Sequence, residues 1–189
     1  MADNQLILLP ALTTDSPASK RDLLYRLEQM EFIGSPLMFN GQQHYRPGTR
    51  FLQLLTFLGC SPVVALGEPG LTGDEFCHLQ LAGPYEAAHF VGGSNVKAPR
   101  CPGCGFRVEN WTTLVQQWQA QPEQPWHCPL CGKEYAVPQL RWRHCAGFGR
   151  FFLRIWGVFE GEAVPSEELL TALRQVSGFD WQYFYFRQD

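Results

Sequence analysis

The sequence predicts an α+β fold: a mixed sheet with helices packed on it, a strand–helix–strand unit at the C-terminus and a small cysteine-bearing insert. Three observations carry this. Apolar runs too short for helices recur at 5–9, 76–83, 150–159 and 179–186. Two segments combine helical periodicity with end signals. One five-residue word occurs twice, as CPGCG at 101–105 and CPLCG at 128–132. A chain of 189 residues suits one domain, or one domain plus a small module. With 14% aromatic residues and a net charge of -3, it has the composition of a packed core rather than of a disordered segment.

The elements follow in order. QLILL at 5–9 reads as a short buried strand. DSPASKRDLLYRLEQM is a helix: Ser16 is placed to cap it, Pro17 suits the first turn, and Leu23, Leu24, Leu27 and Met30 share a face. GSP at 34–36 is expected to end it. GTRFLQLLTFLGCSP is ambiguous over 50–58. Phe51, Leu52, Leu54, Leu55 and Leu58 fit a helical stripe, but a continuous apolar run closed by Gly-Cys-Ser-Pro also suits a buried strand, the reading preferred here. GEPGLTGDE at 67–75 is a loop, FCHLQLAG at 76–83 alternates as a strand does, and GGSNVKAP at 92–99 reads as a linker.

RFFLRIWGVF at 150–159 is strand-like. VPSEELLTALRQVSG is a helix opened by Pro165 and Ser166, with Glu167 and Glu168 against its N-terminal dipole and Gly178 closing it. FDWQYFYF at 179–186 is an aromatic strand. Strands joined by such a helix, if neighbours, are parallel with a right-handed crossover. The expected organisation is an α+β body formed by 1–96 and 139–189, with an insert at 97–138.

No apolar run approaches the ~18 residues of a membrane helix. Asp3 stands where a signal peptide carries positive charge. The reading is a cytoplasmic protein without a membrane partner. Seven cysteines then suggest metal ligands or free thiols, because that compartment keeps thiols reduced.

The two words are spaced as knuckles. Two residues between cysteines let both sulfurs reach one ion, and the following glycine, Gly105 or Gly132, permits the positive φ of the turn. Local amides can then point at sulfur. Four thiolates make a closed tetrahedral site for zinc, at bonds of ~2.3 Å. The segment from about 98 to 137 resembles a zinc ribbon. Its CPxCG words are also similar to rubredoxin knuckles, which implies iron and electron transfer in the same place. Both resemblances imply Cys101, Cys104, Cys128 and Cys131 as ligands. They cover about a fifth of the chain and name no activity. Within the intervening 105–127, NWTTLVQQWQ reads as a helix capped by Asn110, with Trp111, Leu114, Val115 and Trp118 on one face. His127 adjoins Cys128 and is expected to contribute a hydrogen bond rather than replace a thiolate.

A closed shell leaves no place for a catalytic water. The His-x-Glu of zinc deaminases and the His-Glu-x-x-His of metalloproteases are both absent. No Walker loop, GxGxxG or GxSxG is present either. Cys77 and His78 would point to opposite faces of a strand. His144 and Cys145 have no nearby partners for a second metal site. Cys60 reads as a small buried residue.

Charge is uneven. Residues 97–154 carry eight Lys/Arg against three Asp/Glu, while 1–96 and 155–189 are each at -4. Within the basic part, QLRWRHCAGFGRFFLR holds Arg141, Arg143, Arg150 and Arg154 among Trp142, Phe148, Phe151 and Phe152. Arginines fork onto phosphate and aromatics stack on bases. With Lys97, Arg100 and Arg107 they could form one basic face. The plainer reading buries the aromatics and pairs the arginines with flanking acids.

Three functions remain. The preferred one is a zinc-binding, non-enzymatic interaction or adaptor protein, its partner another protein given the acidic total. The second is a nucleic-acid-binding protein using 97–154. The third is an enzyme whose metal is a strut, with His44, Cys60, Asp74 and His78 as residues in search of a constellation.

Overall fold

The computed structural model describes residues 3–12, 19–59, 64–66 and 76–188. The chain begins with strand β1 (Asp3–Pro10) and helix α1 (Lys20–Gln29). Ser19 caps α1 by accepting from the Asp22 N–H at 3.3 Å; Ser16 and Pro17, the residues expected there, lie outside the described residues. Met30 closes the helix, so GSP does not end it. GSP instead lies inside β2 (Ile33–Phe39), which turns back into β3 (Gln42–Pro47).

The ambiguous segment splits. Phe51–Gln53 is a turn of 3₁₀ helix and Leu55–Phe57 is strand β4. Then come β5 (Leu79–Ala82) and β6 (His89–Gly92). The cysteine-bearing segment holds α2 (Trp111–Ala120) and the small hairpin β7 (Trp126–His127) and β8 (Glu134–Tyr135). The chain ends with β9 (Ala146–Gly149), β10 (Phe152–Trp156), β11 (Ala163–Pro165), α3 (Glu167–Ser177) and β12 (Trp181–Gln188). At α3 the cap signals hold: Ser166 accepts from the Leu169 N–H and Gly178 is left-handed.

The fold is α+β. Six strands form one sheet in the order β12-β1-β10-β5-β3-β2, with antiparallel neighbours throughout. The C-terminal strands β10 and β12 are not neighbours. Both run antiparallel to β1, which lies between them, so the strand–helix–strand unit is split and its two strands are parallel across β1.

Strand alternation sorts the side chains onto two faces. On one face Leu6, Leu8, Leu79, Leu81, Leu153 and Ile155 meet Leu23 and Leu27 of α1 and Leu169 and Leu173 of α3. Each of these leucines is 2% exposed or less, and full burial stabilises by about 1.5–3 kcal/mol apiece. Cys77 belongs to this face, while His78 lies on the other, stacked on Trp156.

The second face begins with Ile7, Leu9, Phe152 and Phe184. The ribbon of β6 and β9 crosses it so closely that a Cβ on Gly147 would press on Phe184 and Leu9. Beyond lies a second core: Val115 and Trp118 of α2 pack with Val108, Val137, Leu140, Trp142 and Phe148. Trp111 and Leu114 lie at its margin, giving the predicted helix face. Asn110 stands at the start of α2 but makes no side-chain cap hydrogen bond.

Candidate metal centre

The two knuckles adopt the same backbone. In the first, the Cys101 N–H donates to the Phe106 carbonyl at 2.8 Å and the Gly105 N–H to the Cys101 carbonyl at 3.0 Å. In the second, Cys128 donates to Lys133 and Gly132 to Cys128, both at 2.9 Å. Gly105 and Gly132 sit at φ of +79° and +69°. The left-handed turn that the repeated word implied is therefore present at both places.

The turns bring the four sulfurs of Cys101, Cys104, Cys128 and Cys131 within 4.8 Å of one another. Two contacts join the knuckles: Cys101 to Cys131 at 3.8 Å and Cys104 to Cys128 at 3.5 Å. A tetrahedron with bonds of ~2.3 Å has edges of about 3.8 Å, so the donor set fits a tetrahedral cation. Among the described residues this is the one cluster of three or more metal-ligating side chains.

The amides of the turns tune the sulfurs. The Phe106 amide lowers the Cys104 thiol, but desolvation and the three other thiols outweigh it and push that group up to about 12. Desolvation opposes ionisation of Cys128, yet the Cys131 and Leu130 amides, with the Cys104 and Cys131 thiols, bring it down to about 7. A divalent cation would displace the thiol protons, which makes binding pH-dependent.

The knot is braced within its own segment and tied to the following chain through Arg141. The hairpin of β7 and β8 closes the second knuckle, and His127 meets Glu134 across it at 2.8 Å, outside the sulfur cluster. Arg100 forms single bridges with Arg107 on one side and Arg141 on the other. The Arg141 guanidinium donates to the Pro102 carbonyl of the first knuckle at 2.6 Å.

The basic stretch divides. Arg141 and Arg143 line a cleft between the cysteine-bearing segment and the end of the large sheet. Arg154 lines a smaller pocket of about 240 Å³ with Tyr85 and His89, where Arg150 donates to the Tyr85 carbonyl. Lys97 pairs with Glu160 and Arg107 with Glu109, so the single basic face does not assemble. Trp142, Phe148, Phe151 and Phe152 are all buried, as the plainer reading had it. Its other half fails: Arg141, Arg143 and Arg150 donate to backbone carbonyls of Pro102, Ala98 and Tyr85, not to carboxylates. Arg154 donates to the Gln5 side chain and lies over Trp156 and Phe186.

Of the residues weighed for catalysis, Cys60 and Asp74 lie outside the described residues. His44 and His78 do come together, with ring centroids 4.9 Å apart. The pair is 3% and 2% exposed and lines neither the cleft nor the smaller pocket. Burial, then the charges of His78 and Arg154, bring His44 down to about 4. The Cys77 thiol is pushed up to about 12 by burial and by Glu162, which removes its nucleophilic form. Cys145 donates to the Trp142 carbonyl.

Two features escaped the sequence reading. Arg143 and His144 are successive left-handed residues, φ +51° and +56°, and neither is a glycine. The cleft itself joins residues near 10, 140 and 183, which no local pattern connects.

The four-sulfur arrangement defines a metal-binding class of site and no more. No protein-family model, curated protein or solved structure matches this chain. Among the described residues, no helix is long and apolar enough to cross a membrane.

Proposed function

We propose that this protein is a zinc-organised interaction protein, in which the metal is structural and the segment it folds presents a surface to a protein partner. The observation that carries this is the closed set of four sulfurs at tetrahedral spacing. The shell has no place for water, and nothing else in it can act as acid or base. Zinc binding worth ~10–16 kcal/mol suffices to fold a segment of this size whose own core is small. We place that segment at 97–138, resting on the second core.

Iron in the same sulfurs is the redox alternative. Metal analysis with an absorbance spectrum separates the two. A colourless protein with one zinc per chain supports the reading; a red protein with one iron would replace it by electron transfer. Chelation should expose 98–137 to protease while β1, β10 and β12 stay protected. Loss of metal without any change in cleavage would remove the folding role.

The nucleic-acid alternative loses its stacking rings, since the aromatics of 139–154 are in the core.

A further inference from the structure

A cleft of about 610 Å³ opens between the cysteine-bearing segment and one end of the six-stranded sheet. One wall is the stretch 139–144, which presents Arg141, Arg143 and His144, all exposed. The other wall is the start of β12, and Leu9 and Leu12 contribute an apolar floor. Among the described residues, no Asp or Glu lines the cleft. The two guanidinium groups donate to the Pro102 and Ala98 carbonyls, which orient them without neutralising them. Among the described residues, neither meets a carboxylate at ion-pair distance.

The cleft also contains strand edge. β12 is the outermost strand of its sheet. Its Tyr185 N–H points outward, to the His144 carbonyl. The alternation of an antiparallel ladder turns the Tyr183 N–H the same way, and no described residue accepts from it. An edge N–H beside an open groove is a template for another extended chain.

These features select the occupant. A small anion would use the cations and leave the edge idle. A nucleic acid would need rings free to stack on bases; Trp142, Phe148 and Phe184 are buried, and the remaining rings of the cleft, His144 and Tyr183, are stacked on each other. An extended peptide meets the edge with its backbone, the cations with acidic side chains and the floor with an apolar one. We propose that this cleft binds an extended acidic segment of a partner protein, alongside Tyr183 of β12. The inference rests on the interaction reading given above.

The test is selection of short random peptides displayed on phage against the intact metal-loaded protein, followed by affinity measurement of the enriched peptides. The expected result is enrichment of Asp/Glu-rich sequences carrying an apolar residue. The double substitution Arg141→Glu with Arg143→Glu should weaken them by about tenfold or more, with metal content and circular dichroism unchanged. If that variant misfolds, Gln182→Arg, which adds a cation on the opposite wall, should tighten the same peptides.

Absence of acidic enrichment overturns the proposal, as does binding indifferent to both charge changes. Tighter, competing binding of single-stranded DNA or RNA at the same arginines also overturns it. Peptides that bind elsewhere leave the interaction reading standing while the cleft assignment falls. Metal content, measured on the same sample, judges the zinc reading separately.

Discussion

His144 stacks on Tyr183, ring centroids 4.5 Å apart and planes 17° from parallel, while its Nδ1 donates to the Tyr183 carbonyl at 2.8 Å. Its own carbonyl accepts from the Tyr185 N–H at 2.9 Å. Farther along, Asn95 accepts from the Arg187 N–H and donates to the Tyr185 carbonyl, and Ser94 donates to the Arg187 carbonyl. The outer edge of β12 is thus closed from the Tyr183 carbonyl onward by the two stretches that flank the cysteine-bearing segment. Closing an edge also guards against unwanted strand pairing. The left-handed φ of His144 has its reason here: it points both a main-chain acceptor and a side-chain donor at one strand.

Replacing His144 with alanine removes the side-chain hydrogen bond and the ring contact but keeps the left-handed strain. The expected loss is about 1–2 kcal/mol in urea unfolding of the metal-loaded protein. His144→Asn, a residue that tolerates this φ, should lose less. Equal stability of all three would show that the contact does not hold the segment to the sheet.

Cys104→Ser should abolish stoichiometric zinc binding and loosen the second core while sparing the leucine core under α1 and α3. Tryptophan emission is a convenient reporter. Trp111, Trp118, Trp126 and Trp142 lie in or beside the second core, and Trp156 and Trp181 lie in the body. A red shift carried by the first group alone is the expected outcome. Collapse of the whole protein would mean that the two cores fold as one unit.

The glycines separate conformational cost from collision. A Cβ on Gly105 meets nothing within 4 Å, so Gly105→Ala should cost only the left-handed penalty, about 1–2 kcal/mol. A Cβ on Gly93 would run into the Arg187 carbonyl of β12. Gly93→Ala should therefore destabilise more than Gly105→Ala in thermal melts, although its own φ is not left-handed. Metal affinity should respond in the opposite order.

His44 makes acid stability pH-dependent. Its folded value is about 4 against 6.5 in the unfolded chain, so between these pH values the unfolded state binds more protons. Stability is full above pH 6.5 and falls as pH drops toward 4. His44→Phe should flatten this part of the profile. Comparing the variant with the parent at each pH cancels losses due to metal release. Parallel profiles would assign the acid sensitivity to other groups.

Local chemistry was legible where it is written in adjacent residues. Ser166 and Gly178 bound a helix because cap and left-handed closure are properties of single positions. The spacing of CPGCG and CPLCG placed four sulfurs together because each knuckle is a self-contained turn. At α1 the described cap is Ser19, while the expected Ser16 lies outside the described residues; the serine, aspartate and proline of that segment leave several starts equally consistent with the pattern. The stretch 50–58 split between turn and strand because its short apolar run satisfies both periods.

Determined by sequence alone, then, were the α+β class, the paired knuckles and the charge of the middle segment, all consequences of short-range stereochemistry and composition. Tertiary structure decided where β1 goes, slipping between β10 and β12 to split the C-terminal unit. It also decided the fate of the basic run. Burial of Trp142 and Phe148 turned their side chains inward and left Arg141 and Arg143 facing a cleft whose far wall is supplied by β12, some forty residues along the chain. Strand order and clefts depend on which distant surfaces bury each other, and that free energy is shared over the whole core rather than encoded in any one stretch.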